Sequence, residues 1–219
     1  MKHLSFRCEP IDQLLGGGLE QGIITKVFGE AGTGKSNMIL QAVREAHRQR
    51  LPTVIIDSEN VSSLRLQQLC AEDRACDDIF KRLLVFHPKT FFEQERAIQQ
   101  TVELQDIQLI VVDTMNLLYR VALTQDVNEA QRSYIRQMMT LQLIARKKNS
   151  WVLVAEQVYT DQKGDIQPFT HKKTSAMVKT IVKLEKHGMQ GMRTACLLKH
   201  RVLAVDRQVS FRLTSCGMQ

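Results

Sequence analysis

Aromatic residues make up only 5% of the 219 positions, with a single Trp, and there are four Pro. So few aromatics leave little material for a surface that binds by ring stacking. So little Pro leaves no Pro-rich linker or recognition segment. No apolar run approaches the roughly 18 residues of a membrane span, which argues against a membrane protein. The first residues, Met1-Lys2-His3-Leu4-Ser5-Phe6-Arg7, lack the apolar centre of a signal peptide. The five cysteines (Cys8, Cys70, Cys76, Cys196, Cys216) contain no C-x-x-C pair, so no zinc site or disulfide framework is indicated. Reduced thiols in the cytoplasm are the simplest expectation. Internal repeats and low-complexity tracts are also missing.

What the chain does have is one stretch around which the rest is organised, Gly29-Glu30-Ala31-Gly32-Thr33-Gly34-Lys35-Ser36. It fits G-x-x-x-x-G-K-[ST], the phosphate-binding P-loop. Glycines let the backbone curl until several N–H groups face one concavity, and the following helix start adds its own dipole. Lys35 can reach the β- and γ-phosphates, and the Ser36 hydroxyl can ligate Mg²⁺. The flanks agree: the apolar run Ile23 to Phe28 reads as a strand, and Met38, Ile39, Ala42, Val43 and Ala46 carry a helical period. A bare glycine turn would need neither.

The remaining pattern alternates strand and helix. Strands are expected at 23–28, 53–56, 83–86, 109–112 and 151–155, with helices at about 35–50, 61–73, 91–105 and 128–148. Residues 1–22 read as a short lead-in and 23–219 as one core domain. Residues 158–174 read as a long exposed loop. Beyond it, Val178, Val182 and Leu184 are expected on one strand face and Lys179 and Lys183 on the other, followed by strands at 192–199 and 207–213. The fold class is α/β: a mostly parallel sheet with helices on both faces and an antiparallel C-terminal extension.

In such sheets ligands bind beyond the carboxyl ends of the strands. Four polar signals fall there: the P-loop, Glu59, Asp113 and Gln157. Asp113 ends a continuous apolar strand, the Walker B pattern, and can hold Mg²⁺ opposite Ser36; a helix N-cap is the competing role. Glu59 can orient or deprotonate an attacking water. Gln157 can hydrogen-bond a γ-phosphate just before the long loop. The set therefore points to ATP with Mg²⁺.

Charge is placed unevenly. Net charge is +7, yet residues 1–157 balance at 19 Lys/Arg against 19 Asp/Glu, while residues 158–219 hold 11 against 4. A basic end on a nucleotide-binding domain suggests a polyanionic partner, bound without base readout and weakened by salt.

These residues also resemble the RecA/RadA recombinase family. The resemblance lies in Asp12-Gln13-Leu14-Leu15-Gly16-Gly17-Gly18-Leu19, Gly29 to Asn37, Ile56-Asp57-Ser58-Glu59, Val111-Val112-Asp113-Thr114 with Leu118-Tyr119-Arg120, Glu156-Gln157-Val158 and Lys199-His200-Arg201. It implies a RecA-like core in which Glu59 is the catalytic glutamate, Gln157 the γ-phosphate sensor and Lys35 the catalytic phosphate cation. Asn37 extends the nucleotide site, and Arg65 falls where a family arginine packs on adenine. The loops after Asp113 and Gln157 are similar in position to the family's DNA-binding loops. That makes Arg120, Lys163, Lys172, Lys173 and Lys179 candidates for single- or double-stranded DNA. Lys199 and Arg201 fall where a neighbouring subunit's nucleotide can be approached. The family polymerises through an F-x-x-A segment ahead of its core, and none is expected here. Homo-oligomerisation by that route and autonomous strand exchange are therefore not expected. The implied function is a weak DNA-dependent ATPase of homologous recombination and DNA repair, or a mediator assisting a RadA-type recombinase. The alternative is a RecA-fold signalling ATPase similar to KaiC, with no need of DNA.

Overall fold

The computed structural model describes residues 2–59, 63–70, 78–160, 166–168 and 174–219. In chain order the elements are β1 (His3–Leu4), α1 (Glu9–Leu14), β2 (Leu19–Glu20), β3 (Ile24–Gly29), α2 (Lys35–Arg48), β4 (Thr53–Asp57), α3 (Ser63–Cys70), α4 (Ile79–Arg82), β5 (Leu83–Phe86) and α5 (Phe91–Glu103). They continue as β6 (Leu109–Asp113), α6 (Leu117–Gln125), α7 (Val127–Lys148), β7 (Trp151–Thr160), β8 (Ile166–Pro168), β9 (Val178–Lys186), β10 (Met192–Lys199), β11 (Arg207–Thr214) and β12 (Gly217–Met218).

A ten-stranded sheet runs in the order β12-β11-β10-β9-β3-β7-β6-β4-β5, with β8 paired to β7. From β9 to β5 neighbouring strands are parallel, and β10, β11 and β12 complete it in antiparallel pairs. The central strands are buried on both faces, which is why Leu109 to Val112 and Trp151 to Ala155 need no polar alternation. The face carrying Val27, Ile55, Val111 and Leu153 packs on α1, α2 and α3. The opposite face, with Ile24, Val54, Ile110 and Val152, packs on α5, α6 and α7. There Tyr119 and Tyr134 lie 4.7 Å apart between ring centroids, and Phe91 stands 5.3 Å from Tyr119.

Local chemistry sets the helix ends. Thr90 caps α5 by accepting from the Glu93 N–H at 3.1 Å, and Asp126 caps α7 by accepting from the Glu129 N–H at 3.0 Å. Lys148, in the last turn of α7, donates to the Thr101, Val102 and Leu104 carbonyls at the end of α5. That cation therefore serves a neighbouring helix rather than its own.

Four expectations change. Residues 158–160 and 166–168 form an antiparallel hairpin inside what reads as a loop, because Val158, Tyr159, Thr160 and Ile166 are strand formers. The register of β9 on β3 slips between Ile24 and Thr25, so Lys179 forms a bulge. One extra residue flips the pleat, and Val178 packs with the α5–α7 layer while Val182 and Leu184 pack with the α2 layer. The helix α6 has no counterpart in the sequence reading, since only Asp126 separates it from α7. Finally, the string Phe28-Gly29-Glu30-Ala31 does match F-x-x-A. It is the end of β3 and the start of the P-loop, with Phe28 buried, so it is not a free docking segment.

Candidate functional site

The site begins where β3 gives way to α2. A Cβ on Gly29 would lie 2.3 Å from the Leu184 carbonyl oxygen and 2.8 Å from Thr33 Oγ1, so only glycine fits between β3 and β9. Gly34 stands at the N-cap of α2 with φ 109°, and no side chain caps the helix. The first N–H groups of α2 are thereby left for an anion. Thr33 Oγ1 donates to the Glu30 carbonyl at 2.8 Å and holds the loop's turn.

Lys35 is buried and donates to the Gly29 and Glu30 carbonyls at 2.8 and 2.9 Å. Burial pushes its pKa down; Glu59, Asp113 and Glu30 work against that, and Lys186 adds to it. The P-loop residues Gly29, Glu30, Ala31, Gly32, Gly34, Lys35, Ser36 and Asn37, with Glu59, Gln157 and Val158, line a cavity of about 330 Å³.

Asp113 ends β6 with no exposed surface. Neither of its carboxylate oxygens has a hydrogen-bond partner among the described residues. Ser36 comes close enough to pull the Asp113 pKa down slightly, without meeting hydrogen-bond geometry. Burial, then the nearby Glu59 charge, dominate and push it up to about 7. The competing N-cap role falls away, because Asn116 occupies the N-cap of α6. A buried carboxylate with unfilled acceptor sites beside a hydroxyl suits a hard, oxygen-seeking cation. Asp113 and Ser36 therefore fit Mg²⁺.

Glu59 Oε1 accepts from Gln157 Nε2 at 2.6 Å and from Thr114 Oγ1 at 2.9 Å. Its N–H donates to Asp57 Oδ1 at 3.1 Å, so Asp57 shapes the turn behind Glu59. The Ser58 hydroxyl donates to the Thr114 carbonyl at 2.9 Å and accepts from the Thr114 N–H at 3.0 Å. The ends of β4 and β6 are thus bound directly to each other and to Gln157 of β7.

Other expected residues lie further off. Arg65 donates to Asn37 Oδ1 and to the Thr214 and Ser215 carbonyls, the last two at 2.8 Å each. It joins the start of α2 to the turn between β11 and β12. Arg120 is exposed on α6. Lys179 sits at the amino end of β9, about 23 Å of strand from Lys186 at the other end. Lys199 shares that amino end, and Arg201 pairs there with Glu20. These three cations do not converge on the chain's own P-loop. Lys163, Lys172 and Lys173 lie outside the described residues.

Sequence reasoning missed Thr114 as a partner of Glu59, and it did not connect Lys186 and Arg193 with the P-loop. Lys186 Nζ would be 3.9 Å from a Cβ on Gly32, and Arg193 Nε donates to the Gly32 carbonyl at 2.9 Å. The two face each other across β9 and β10. No periodicity or motif could have placed that antiparallel pair over the loop.

The geometry has close counterparts in other proteins. A family model described as Rad51 matches residues 2–60. The DNA repair and recombination protein RadB of Methanococcoides burtonii is 33% identical over 217 residues, covering 97% of this chain and 95% of the relative. The RadB of Thermoplasma acidophilum is 34% identical over 213 residues, covering 95% and 90%. A crystal structure of the RadB recombinase superposes with a TM-score of 0.84 at 29% identity, over 98% of both chains. A third of the residues identical along almost the full length of both partners, on the same RecA-like sheet, means that the chain belongs to the RadB family.

Proposed function

We propose that this chain binds ATP with Mg²⁺ at the P-loop and acts on DNA in recombination and repair. In this role it is a weak DNA-dependent ATPase or a mediator assisting a RadA-type recombinase. The observation that supports this most is one cavity lined by Lys35, Ser36, Glu59 and Gln157, with buried Asp113 beside Ser36 and Glu59, brought together from four adjacent strands. The names of the relatives supply the DNA context.

Each residue then has a task. Lys35, now satisfied by two loop carbonyls, turns to the β- and γ-phosphates. Ser36 and Asp113 would hold Mg²⁺, which when bound would neutralise phosphate charge and lower the cost of developing charge on the leaving group. Glu59 accepts from Gln157 and Thr114 on Oε1, so Oε2 is the oxygen that orients water. Gln157 exchanges its bond to Glu59 for one to the γ-phosphate. Arg65 lies on the adenine side. The excess Lys and Arg of residues 158–219, with Arg120, supply a salt-sensitive DNA surface. No described helix is long and apolar enough to cross a membrane.

The test is ATP binding and turnover, with and without single-stranded DNA, for wild type, Lys35→Ala and Glu59→Gln. Lys35→Ala should lose nucleotide binding. Glu59→Gln should bind and lose whatever turnover wild type has. Wild-type turnover in Glu59→Gln removes the catalytic role of that residue. Turnover indifferent to DNA, with no DNA binding, favours a signalling ATPase.

A further inference from the structure

β6 pairs with β7 up to Val112 opposite Val154, and β6 ends at Asp113. β7 continues for several more residues, through Gln157 and into its hairpin with β8. On the β6 side the ladder is carried on by two bridges. The Met115 N–H donates to the Ala155 carbonyl at 2.9 Å. Then the Asn116 side chain takes over: Nδ2 donates to the Gln157 carbonyl at 2.8 Å, and Oδ1 accepts from the Gln157 N–H at 2.9 Å.

That fork fixes the amide's orientation, since a backbone N–H only donates and a carbonyl only accepts. It also copies what a neighbouring strand would offer. Asn116 is fully buried and stands at the N-cap of α6, yet makes no side-chain cap bond there. Asn is among the best capping residues, and a cap is worth about 1 kcal/mol. Here the amide serves the sheet instead.

Gln157 is consequently gripped on three sides. Its backbone lies opposite Gly29, the first P-loop residue, on β3, and is forked by Asn116 on the other edge. Its side chain reaches Glu59. Behind Asn116, Gln94 Nε2 donates to the Met115 carbonyl at 3.2 Å and to Gln137 Oε1 at 2.9 Å, anchoring the same segment to α7.

We propose that Asn116 is a positioning residue: by forking the Gln157 backbone it binds the Walker B segment to the base of the β7–β8 hairpin, so that a change at the nucleotide is passed to that hairpin. The proposal rests on the reading of the cavity as a Mg-nucleotide site with Gln157 facing the γ-phosphate. Without the fork, the Gln157 side chain can still meet a phosphate, but its backbone is free to move independently of Asp113.

Hydrogen exchange of the 151–160 peptide, in the full-length protein with and without a slowly hydrolysed MgATP analogue, tests this directly. Affinity for the analogue is measured in parallel. In wild type the analogue should slow exchange of that peptide by about tenfold. Asn116→Ala should bind the analogue within about threefold of wild type and lose most of the nucleotide-induced slowing. Asn116→Leu is the second variant: it is close to Asn in size and has no side-chain donor or acceptor, so it should lose the slowing as Asn116→Ala does. A merely structural role would alter the stability of Asn116→Ala while leaving the nucleotide-induced change intact. Should Asn116→Ala fail to fold, Asn116→Leu carries the decision. Full nucleotide-induced slowing in either folded variant overturns the proposal. A wild type that binds no nucleotide overturns the reading of the cavity itself, and this proposal with it.

Discussion

Replacing Asp113 by Asn should make the metal-free protein more stable while abolishing its response to Mg²⁺. Asp113 is wholly buried, its oxygens are unpartnered among the described residues, and its pKa is pushed from 3.8 to about 7. Between about pH 4 and 7 the native state holds a proton that the unfolded chain has released. Stability therefore falls as pH rises through that window and stays low above it. At 1.36 kcal/mol per pH unit, the interval is worth roughly 4 kcal/mol. Asn keeps the shape and carries no charge, but it leaves polar atoms unpaired at a cost of about 1–3 kcal/mol. The net gain above pH 7 is about 1–3 kcal/mol, shrinking towards zero or below near pH 4. Urea unfolding at several pH values, without nucleotide and in chelator, measures it. Adding Mg²⁺ with a nucleotide analogue should stabilise wild type and not Asp113→Asn. The reasoning fails if Asp113→Asn is less stable than wild type at pH 8 in chelator, or if both have the same pH dependence.

Gly29→Ala should destabilise the fold by more than about 3 kcal/mol in urea, because its Cβ would fall 2.3 Å from a backbone oxygen. Gly188→Ala, where a Cβ meets nothing within 4 Å, should stay within about 0.5 kcal/mol. Tyr134→Phe removes the hydroxyl that donates to buried Glu156 at 2.6 Å, beside the Lys26 ammonium 3.2 Å from the other oxygen. It should cost about 1.5–3 kcal/mol in the same assay. DNA affinity should fall with salt, with a log–log slope of about −0.7 per phosphate neutralised on single strands; a flat plot would exclude a basic DNA surface.

The parallel core was readable because a strand buried on both faces is written as an unbroken apolar run, and its last residue is where polarity returns. That rule put Asp113 at the end of β6; Leu83–Phe86 was placed to the residue by its apolar run alone, since Leu84 and Val85 of this edge strand are exposed, and Gln157 lies inside β7, three residues before its end. It carries no information on how a side chain crosses between strands. Asn116 looks like any helix-start residue, and only the mismatch in length between β6 and β7 gives it another task. The face of Val178 was misjudged for a related reason: a bulge follows from the partner strand, and neither strand's own pattern records it. The hairpin in 158–168 was hidden by the Gly and Asp between its arms.

Gln41, in the helix that follows the P-loop, donates to the Phe6 carbonyl at 2.8 Å and to the Met218 carbonyl at 3.3 Å, and its oxygen receives the Met218 N–H. Gln41 and Met218, 177 residues apart, are therefore joined through one buried amide that Phe6 shares. During synthesis the P-loop and its helix leave the ribosome well before β12, and this amide stays half-satisfied until β12 arrives. A ribosome-bound chain lacking β12 therefore presents a P-loop whose supporting helix is not yet closed.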